Sequence, residues 1–256
     1  MSFLPSDETV LNLLAIECSS ELCSVAVQSG KKVFYKSHLA PKEHAYLVLP
    51  FIKELMEQAE LEFSDLHSLA FGQGPGAFTG LRVAASITQG LALAHDLPII
   101  PVCSLTALAH QALKDNSFSS ASMVATLDAR MSELYWAHFL VEENNLIQQG
   151  AVRLSAPEKI YQSETESSFY AGTGCRHLHS VLSDKSAENF LSLHKVENAF
   201  PQANTIAYLA SESLKQRGRS VYQEAIPVYI RNDVAKKSSA QKKSEQTKHS
   251  TYHRLT

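Results

Sequence analysis

Short apolar runs separated by polar turns open the chain. The segment Leu11–Ile16 is largely apolar, Leu22–Gln28 alternates between polar and apolar residues, and Lys32–His38 follows a Ser-Gly turn. Runs of this length predict three strands, and their short connections predict an antiparallel meander. Pro41 ends this strand pattern.

From His44 to Glu60 the spacing of apolar residues changes to that of a helix. Apolar side chains recur there at spacings of three and four, as in an amphipathic helix with Pro50 near its start. They are Leu47, Val48, Phe51, Ile52, Leu55, Met56 and Ala59.

Two more strands and two more helices complete the first half. The apolar segment Leu66–Phe71 predicts a buried strand, and a glycine-rich loop leads from it into a helix at Thr79–His95. We expect the Thr79 hydroxyl to cap this helix. A strand at Leu97–Val102 and a helix at Leu105–Leu113 follow.

The same pattern then begins again, with strands predicted at Met123–Leu127, Leu134–Val141 and Leu146–Leu154. Residues of the first half have counterparts at offsets of 111, 112 and 116: Glu17 with Asp128, Glu21 with Glu133, and Pro41 with Pro157. This ordered set predicts an internal duplication.

The second copy is shorter than the first. A strand at Phe169–Ala171, the loop Gly172–Gly174, a polar stretch and a helix at Asn204–Arg217 follow its opening strands, and the segment Ala225–Asn232 is expected to be extended. We expect this copy to lack the full helix–strand–helix set of the first.

Composition and charge divide the chain further. Its 256 residues are 45% hydrophobic and 19% charged, which is enough apolar material for a folded core. The net charge of -3 is uneven, because residues 236–256 carry +5 and residues 1–235 carry -8. An acidic body is a poor match for nucleic acid. We expect an N-terminal lobe at 1–113, a smaller C-terminal lobe at 114–235 and a basic, disordered tail at 236–256.

The sequence predicts a cytoplasmic protein. The first residues include Asp7 and Glu8 and lack a basic segment, and the most apolar stretch, Leu91–Ala109, is interrupted by Pro98 and Pro101. The four cysteines lie in apolar runs without metal-ligand spacing, as buried thiols of a reducing compartment do. They are Cys18, Cys23, Cys103 and Cys175.

Four of the ten glycines lie within nine residues where the predicted strand leads into the helix, at Gly72, Gly74, Gly76 and Gly80. Two interpretations stay open. The loop and the following helix start, including Thr79, could cradle an anion or nucleotide, or the loop could be a sharp turn without a ligand. Arg82 could assist an anion or pair across an interface.

Other polar clusters have alternatives as well. The acids Glu17 with Glu21 and Asp128 with Glu133 could be general acid/base pairs, but we favour short turns in which they accept hydrogen bonds from backbone amides. The His177 and His179 pair beside Cys175 is expected to lie in a surface loop and not to bind metal.

Several strings resemble the TsaB (YeaZ) family, the most specific being GQGPGAFTGLR at 72–82. The others are LAIECS at 14–19, CSVA at 23–26, LP at 97–98, VCSLTALA at 102–109, LDAR at 127–130, ELY at 133–135 and PVYIR at 227–231. The resemblance covers about residues 11–235. Glu17 stands where the family usually has aspartate.

The resemblance implies an α/β fold of the actin, Hsp70 and sugar-kinase type, with two related lobes of which the second is truncated. It also implies a role in making N6-threonylcarbamoyladenosine next to the anticodon of tRNAs that read codons beginning with A. In that system TsaD carries the transfer chemistry, TsaB pairs with TsaD, and the ATPase TsaE joins them. We expect no cofactor on this chain alone and ATP only in the assembled complex, and in isolation the surface that docks TsaD could dock a second copy of the chain.

We expect a non-catalytic subunit without a metal. In TsaD, the strand corresponding to Ile99–Val102 runs into an Asn-His-x-x-x-His arrangement that holds a metal, and Ser104 and Leu108 occupy the two histidine positions here. Leucine cannot ligate a metal ion. His110 does not restore the spacing.

The predicted partner surface combines the first helix with a face of small residues on the second. It comprises His44, Leu47, Val48, Phe51, Gly80, Arg82, Ala84, Ala85, Gln89 and Gly90. The alternative function is a small-molecule kinase, ATPase or metallopeptidase of the same fold. We expect tRNA to bind through the complex or weakly through the tail, and no membrane association.

Overall fold

Two five-stranded sheets with the same strand order form the framework of the protein. The computed structural model describes residues 11–116, 120–142, 145–163, 169–182, 194–196, 199–217 and 224–231. The basic tail therefore lies outside the described residues. Among the described helices, none combines the length and apolar character needed to cross a bilayer.

The first half contains five strands and three α-helices. Its elements are β1 (Asn12–Glu17), β2 (Leu22–Ser29), β3 (Lys32–Leu39), α1 (His44–Ala59), a 3-10 turn (Phe63–Asp65), β4 (Ser68–Gly74), α2 (Phe78–His95), β5 (Ile99–Cys103) and α3 (Ser104–Asn116). Each strand and helix expected in this half is present, within a few residues of its predicted bounds.

The second half follows the same order. Its elements are β6 (Ser120–Asp128), β7 (Leu134–Glu142), β8 (Asn145–Ser155), α4 (Pro157–Ser163), β9 (Phe169–Ala171), α5 (Cys175–Leu182), β10 (His194–Val196) and α6 (Ala203–Arg217). The segment 224–231 has no regular secondary structure.

Strand order confirms the duplication. The sheets run β3-β2-β1-β4-β5 and β8-β7-β6-β9-β10, so each strand of the second has a counterpart in the first. In both sheets the first three strands are antiparallel and the last two join in parallel.

Two expectations for the second half are wrong. It has the full helix–strand–helix set, in which α4 and α5 have only 7 and 8 residues and β9 and β10 only 3 each. The strand β9 has the predicted bounds, whereas α4, α5 and β10 show too few periods to be recognised in the sequence. The histidines expected in a surface loop belong to α5, where His177 is half-buried.

The predicted cap of the second helix is also wrong. The helix begins at Phe78, its N-cap residue is Ala77, and no side chain in the described part of the chain caps it. The Ala77 amide donates to the carbonyl oxygen of Ser19 at 2.7 Å, and the Ala77 carbonyl accepts from the Leu81 amide at 3.0 Å. The turn after β1 therefore sets the helix start and leaves Thr79 exposed.

The last helix of each half packs on the sheet of the other half. Apolar residues of α6, namely Ala203, Ile206, Ala207 and Ala210, join a core with Leu13, Ala15 and Ala70 of the first sheet. On α3, Leu105, Leu108, Ala109 and Ala112 pack with Met123, Ala125 and Phe139 of the second sheet. This exchange joins the two halves through a shared apolar interior.

Candidate functional site

The glycine-rich segment from the end of β4 to the first turn of α2, which we call the glycine loop, packs directly against the turn between β1 and β2. A Cβ on Gly72 would lie 1.8 Å from Glu17 Oε2. Cβ atoms on Gly76 and Gly80 would lie 2.2 Å from the Ser19 oxygen and 1.9 Å from the Cys18 oxygen. These approaches account for three of the four glycines without a ligand. The anion or nucleotide interpretation of Gly72, Gly74, Gly76 and Thr79 stays a prediction.

A buried hydrogen-bond chain holds Glu17 in this packing. The Ser19 amide donates to Glu17 Oε1 at 2.5 Å, and Ser104 Oγ donates to Glu17 Oε2 at 2.8 Å. The Gly74 amide donates to Ser104 Oγ at 3.3 Å. Burial raises the pKa of Glu17, and the hydrogen bonds from Ser19 and Ser104 oppose that rise.

The second half repeats this arrangement around Asp128. Asp128 Oδ1 accepts a hydrogen bond from the Arg130 amide at 2.7 Å, as Glu17 does from the amide two residues along. Gly172 follows β9 with φ +113°, and a Cβ there would lie 2.0 Å from the Thr126 oxygen. The turn interpretation of both acids, Glu17 and Asp128, is confirmed.

A cleft of about 780 Å³ opens between the two turns. Arg130 bridges it, with Nη2 3.2 Å from Glu21 Oε1 in the first half and Nη1 3.7 Å from Asp128 Oδ2 in the second. His177 Nε2 lies 3.5 Å from Asp128 Oδ2. Glu21 and Asp128 therefore take part in ion pairs within the chain.

The segment 224–231 ties the two halves together near the cleft. Val228 donates its amide to the Gln73 oxygen at 2.7 Å in the first half. In the second half, Arg231 pairs with Glu133 at 2.7 Å and donates to the Ala129 oxygen at 3.0 Å. The sequence marked Arg231 only as part of a family string, because its partners are about 100 residues away.

Arg231 also supports a strained turn. Three consecutive residues of the β6–β7 connection, Arg130, Met131 and Ser132, have φ values of 63°, 56° and 59°. Side chains other than glycine avoid this left-handed region. Contacts from Arg231 to the Ala129 and Arg130 oxygens and to Met131 Sδ hold the turn in place.

The ten predicted partner residues divide between surface and core. Arg82 and Gly90 are exposed, and Leu47 and Gln89 are half-buried. Six are buried: His44, Val48, Phe51, Gly80, Ala84 and Ala85. Val48 and Ala84 are fully enclosed and Gly80 faces Cys18, so these three are core positions, which corrects the predicted surface.

The small residues of α2 therefore serve packing within the chain. Ala84 and Ala85 belong to the same core as Val48, Phe51 and Leu55 of α1. Small side chains on one helix allow the two helix backbones to approach closely. The predicted face is thus largely the α1–α2 contact itself.

The predicted partner surface does not include several exposed apolar side chains of the same two helices. Tyr46 and Leu49 on α1 are 80% and 53% exposed, and Leu93 on α2 is 82% exposed. Gly90 has open space around its Cβ position. We call Tyr46, Leu49, Gly90 and Leu93 the outer α1–α2 face. In the sequence, this face could have been recognised from apolar residues on these helices that do not follow the three-and-four spacing of the buried residues.

The two positions compared with metal-binding histidines are used internally. Ser104 is buried in the Glu17 chain of hydrogen bonds, and Leu108 is enclosed in the core beside Gly172. His110 lies on α3, where burial lowers its pKa. Within the described ranges, no three metal-ligating side chains cluster together.

Known proteins resemble the chain over most of its length. A family model described as "TsaD: tRNA N6-adenosine threonylcarbamoyltransferase" matches residues 36–239. "tRNA threonylcarbamoyladenosine biosynthesis protein TsaB" of Escherichia coli (strain K12) is 32% identical, over 88% of this chain and 96% of that protein. The protein of the same name from Haemophilus influenzae is 34% identical, over 88% and 95%.

A solved structure agrees with these sequence matches. "YeaZ from Pseudomonas aeruginosa" has a TM-score of 0.74 and 30% identity, covering 86% of this chain and 99% of that one. The duplicated α/β architecture is that of the actin, Hsp70 and sugar-kinase fold class. The chain belongs to the TsaB (YeaZ) family, within the wider family described by the TsaD model.

Proposed function

We propose that this chain is a non-catalytic subunit that scaffolds and activates the complex making N6-threonylcarbamoyladenosine in tRNA. The modified base lies next to the anticodon of tRNAs that read codons beginning with A. Family membership supports the pathway, since the related Escherichia coli protein is named for this biosynthesis. The observation that carries the scaffold role is the outer α1–α2 face, with Leu93 82% exposed.

The catalytic work is assigned to TsaD because two positions that carry metal-binding histidines there hold other residues in this chain. A metal-assisted transfer needs ligating groups, and Ser104 and Leu108 stand at the positions of the two histidines. Ser104 is also engaged with Glu17 at 2.8 Å and buried. Neither position offers a ligand to a metal ion.

The outer α1–α2 face suits a protein partner. Its exposed tyrosine and leucine side chains present apolar area that a second surface can cover, and the open space at Gly90 lets that surface approach α2 closely. The acidic body, of charge -8 over residues 1–235, also favours a protein over tRNA as its direct contact. We assign TsaD as the partner on this face, with a second copy of the chain taking its place in isolation. TsaE joins the assembled complex.

The glycine loop has a structural role in this proposal. Its glycines permit the contact with Glu17, Cys18 and Ser19 that fixes the start of α2. The scaffold role needs no catalytic cofactor on the chain alone, and ATP enters with the assembled complex. The opposing candidate, a kinase or ATPase, is favoured by the 780 Å³ cleft between the duplicated turns. Calorimetry with ATP and magnesium on the isolated chain separates the two, because tight binding with turnover supports only the enzyme.

Depletion of the protein in its own cells tests the proposed function. Digested tRNA is analysed by mass spectrometry, and the threonylcarbamoyladenosine content is expected to fall. Restoration by the wild-type chain and by an Ile147→Arg variant, changed on exposed β8, provides the control. Unchanged threonylcarbamoyladenosine after depletion, in cells without a second copy of the gene, would contradict the proposal.

A further inference from the structure

A second cavity lies on the side of the first sheet that α6 covers, away from the outer α1–α2 face. It has a volume of about 620 Å³, within the range of about 300–1,000 Å³ typical of small-molecule sites. Its walls include Val33, Tyr35, His110, Lys114, Thr205 and Tyr208. We call it the α3–α6 cavity.

The alternation of β3 explains how two of these residues reach it. Phe34 packs into the core on the α1 side, and Lys36 pairs with Glu54 of α1 at 2.5 Å. Successive side chains of a strand point to opposite faces, so Val33 and Tyr35 face α6. The edge strand therefore supplies one wall of the cavity and α6 supplies another.

Three of the residues that line the cavity carry aromatic rings: Tyr35, His110 and Tyr208. Tyr35 and Tyr208 are 55% and 52% exposed although both line the same space. The His110 ring lies 6.1 Å from the Tyr208 ring, at an interplanar angle of 60°. Half-exposed rings around one cavity favour a planar ligand, because such a ligand gains stacking on the ring faces.

Charge narrows the chemistry of the ligand. Among the described residues lining the cavity, Lys114 carries the only formal charge, in a body of charge -8. Burial lowers the pKa of His110, which keeps its ring neutral and able to exchange hydrogen bonds. The Thr205 hydroxyl donates to Gln111 Oε1 at 2.8 Å, so its lone pairs are left for a donor on the ligand.

We propose that the α3–α6 cavity binds a nucleotide, with the base against Tyr35 and Tyr208 and the phosphate near Lys114. Stacking requires only the face of the base, and the single cation matches an attached phosphate. The ligand is a free mononucleotide or one nucleotide of an RNA strand. This site is separate from the outer α1–α2 face and does not depend on the proposed function.

Calorimetric titration of the full chain with AMP tests the proposal. Tyr35→Leu and Tyr208→Leu are each expected to weaken AMP binding about 5- to 150-fold, the range of about 1–3 kcal/mol per stacked base. Tyr35→Phe and Tyr208→Phe keep the ring and are expected to retain binding. Tyr46→Leu, on the outer α1–α2 face, is the matched control and is expected to bind as the wild type does.

Two further binding measurements identify the ligand. Lys114→Gln is expected to weaken binding of AMP while leaving binding of adenosine unchanged. The second measurement uses a six-nucleotide single-stranded oligoadenylate. If it binds at least tenfold more tightly than AMP, and if this gain in affinity is lost in the leucine variants, the ligand is RNA. If its affinity equals that of AMP, the ligand is a free nucleotide. No binding of AMP or the oligonucleotide at millimolar concentration, or unchanged affinity in both folded leucine variants, would overturn the proposal. Retained partner binding in these variants separates it from the proposed function.

Discussion

Glu17 and Gly72 are in direct contact, since a Cβ on Gly72 would lie only 1.8 Å from Glu17 Oε2. This contact joins the end of β1 to the end of β4, which are neighbours in the first sheet. The same loop meets backbone oxygen atoms at Gly76 and Gly80. Glycine is therefore required at these positions for packing, and the helix that begins after the loop depends on it.

Two glycine substitutions on α2 distinguish the effect of packing on stability from the effect of helix propensity. Gly80→Ala is expected to destabilise the protein by at least about 3 kcal/mol, because its Cβ would lie 1.9 Å from a backbone oxygen that cannot rotate away. Gly90→Ala, on the same helix with open space around its Cβ, is expected to stabilise by about 0.5–1 kcal/mol. Urea unfolding measures both. Equal effects of the two changes would contradict this account.

The buried carboxyl of Glu17 predicts a pH dependence. Burial raises its pKa in the folded chain, so folding favours the protonated form. Its contribution to the free energy of unfolding is fully present below the unfolded pKa of about 4.3 and is lost as pH rises through the folded pKa. The stability of the wild type relative to Glu17→Gln is therefore expected to fall as pH rises. A difference that is flat or that grows with pH would refute the assignment.

His44 predicts a pH dependence of opposite direction. Its side chain is buried at the start of α1, and Nε2 has no hydrogen-bond partner among the residues that the structure describes. Burial lowers its pKa, although backbone groups of Ser20 and Leu22 and the Glu21 charge oppose this. The neutral form is favoured by folding, so the contribution is present above the unfolded pKa of about 6.5 and is lost as pH falls below it.

The His44 prediction is measured by urea unfolding between pH 7 and pH 5. The stability of the wild type relative to His44→Gln is expected to fall over that range, while the exposed His38→Gln serves as the control. A wild-type advantage that increases on acidification would show that His44 gains a favourable partner when charged.

Arg231 is expected to stabilise the β6–β7 turn. Its side chain is only 14% exposed, and Arg231→Gln removes the pair with Glu133 and the contacts to backbone oxygens. The loss is expected to be about 2–3 kcal/mol, with faster hydrogen exchange at the Ala129 and Glu133 amides. Lys215→Gln breaks an exposed pair with Glu212 and is expected to cost less than about 1 kcal/mol. Similar losses in the two variants would argue against a structural role for Arg231.

Local patterns in the sequence predicted most of the fold. Long periodic elements such as α1 and the meander of β1 to β3 carry enough repeats to be recognised, and the offsets from Glu17 to Asp128 located the duplication. The short α4 and α5 carried too few repeats. Tertiary packing decided the rest of the site, because only the folded chain places Cys18 against Gly80.

The partner surface is another feature that local sequence patterns could not predict. Small residues on α2 predict close helix packing, but the pattern does not state whether the neighbour is α1 of the same chain or another protein. The structure places Ala84 in the core with Val48 and leaves Leu93 exposed. Exposed apolar residues out of phase with the buried stripe are the better indicator of an outer face.

The affinity of this chain for TsaD, its proposed partner, tests the central claim most directly when it is measured by titration with Leu93→Arg and Ile147→Arg variants. Both changes place a charge at an exposed apolar site, on α2 and on β8, and both variants are expected to stay folded. The account predicts at least a 100-fold loss of affinity for Leu93→Arg, because a charge buried at an interface core without a partner costs several kcal/mol. Ile147→Arg is expected to bind as the wild type does. Wild-type affinity in a folded Leu93→Arg variant would contradict the account.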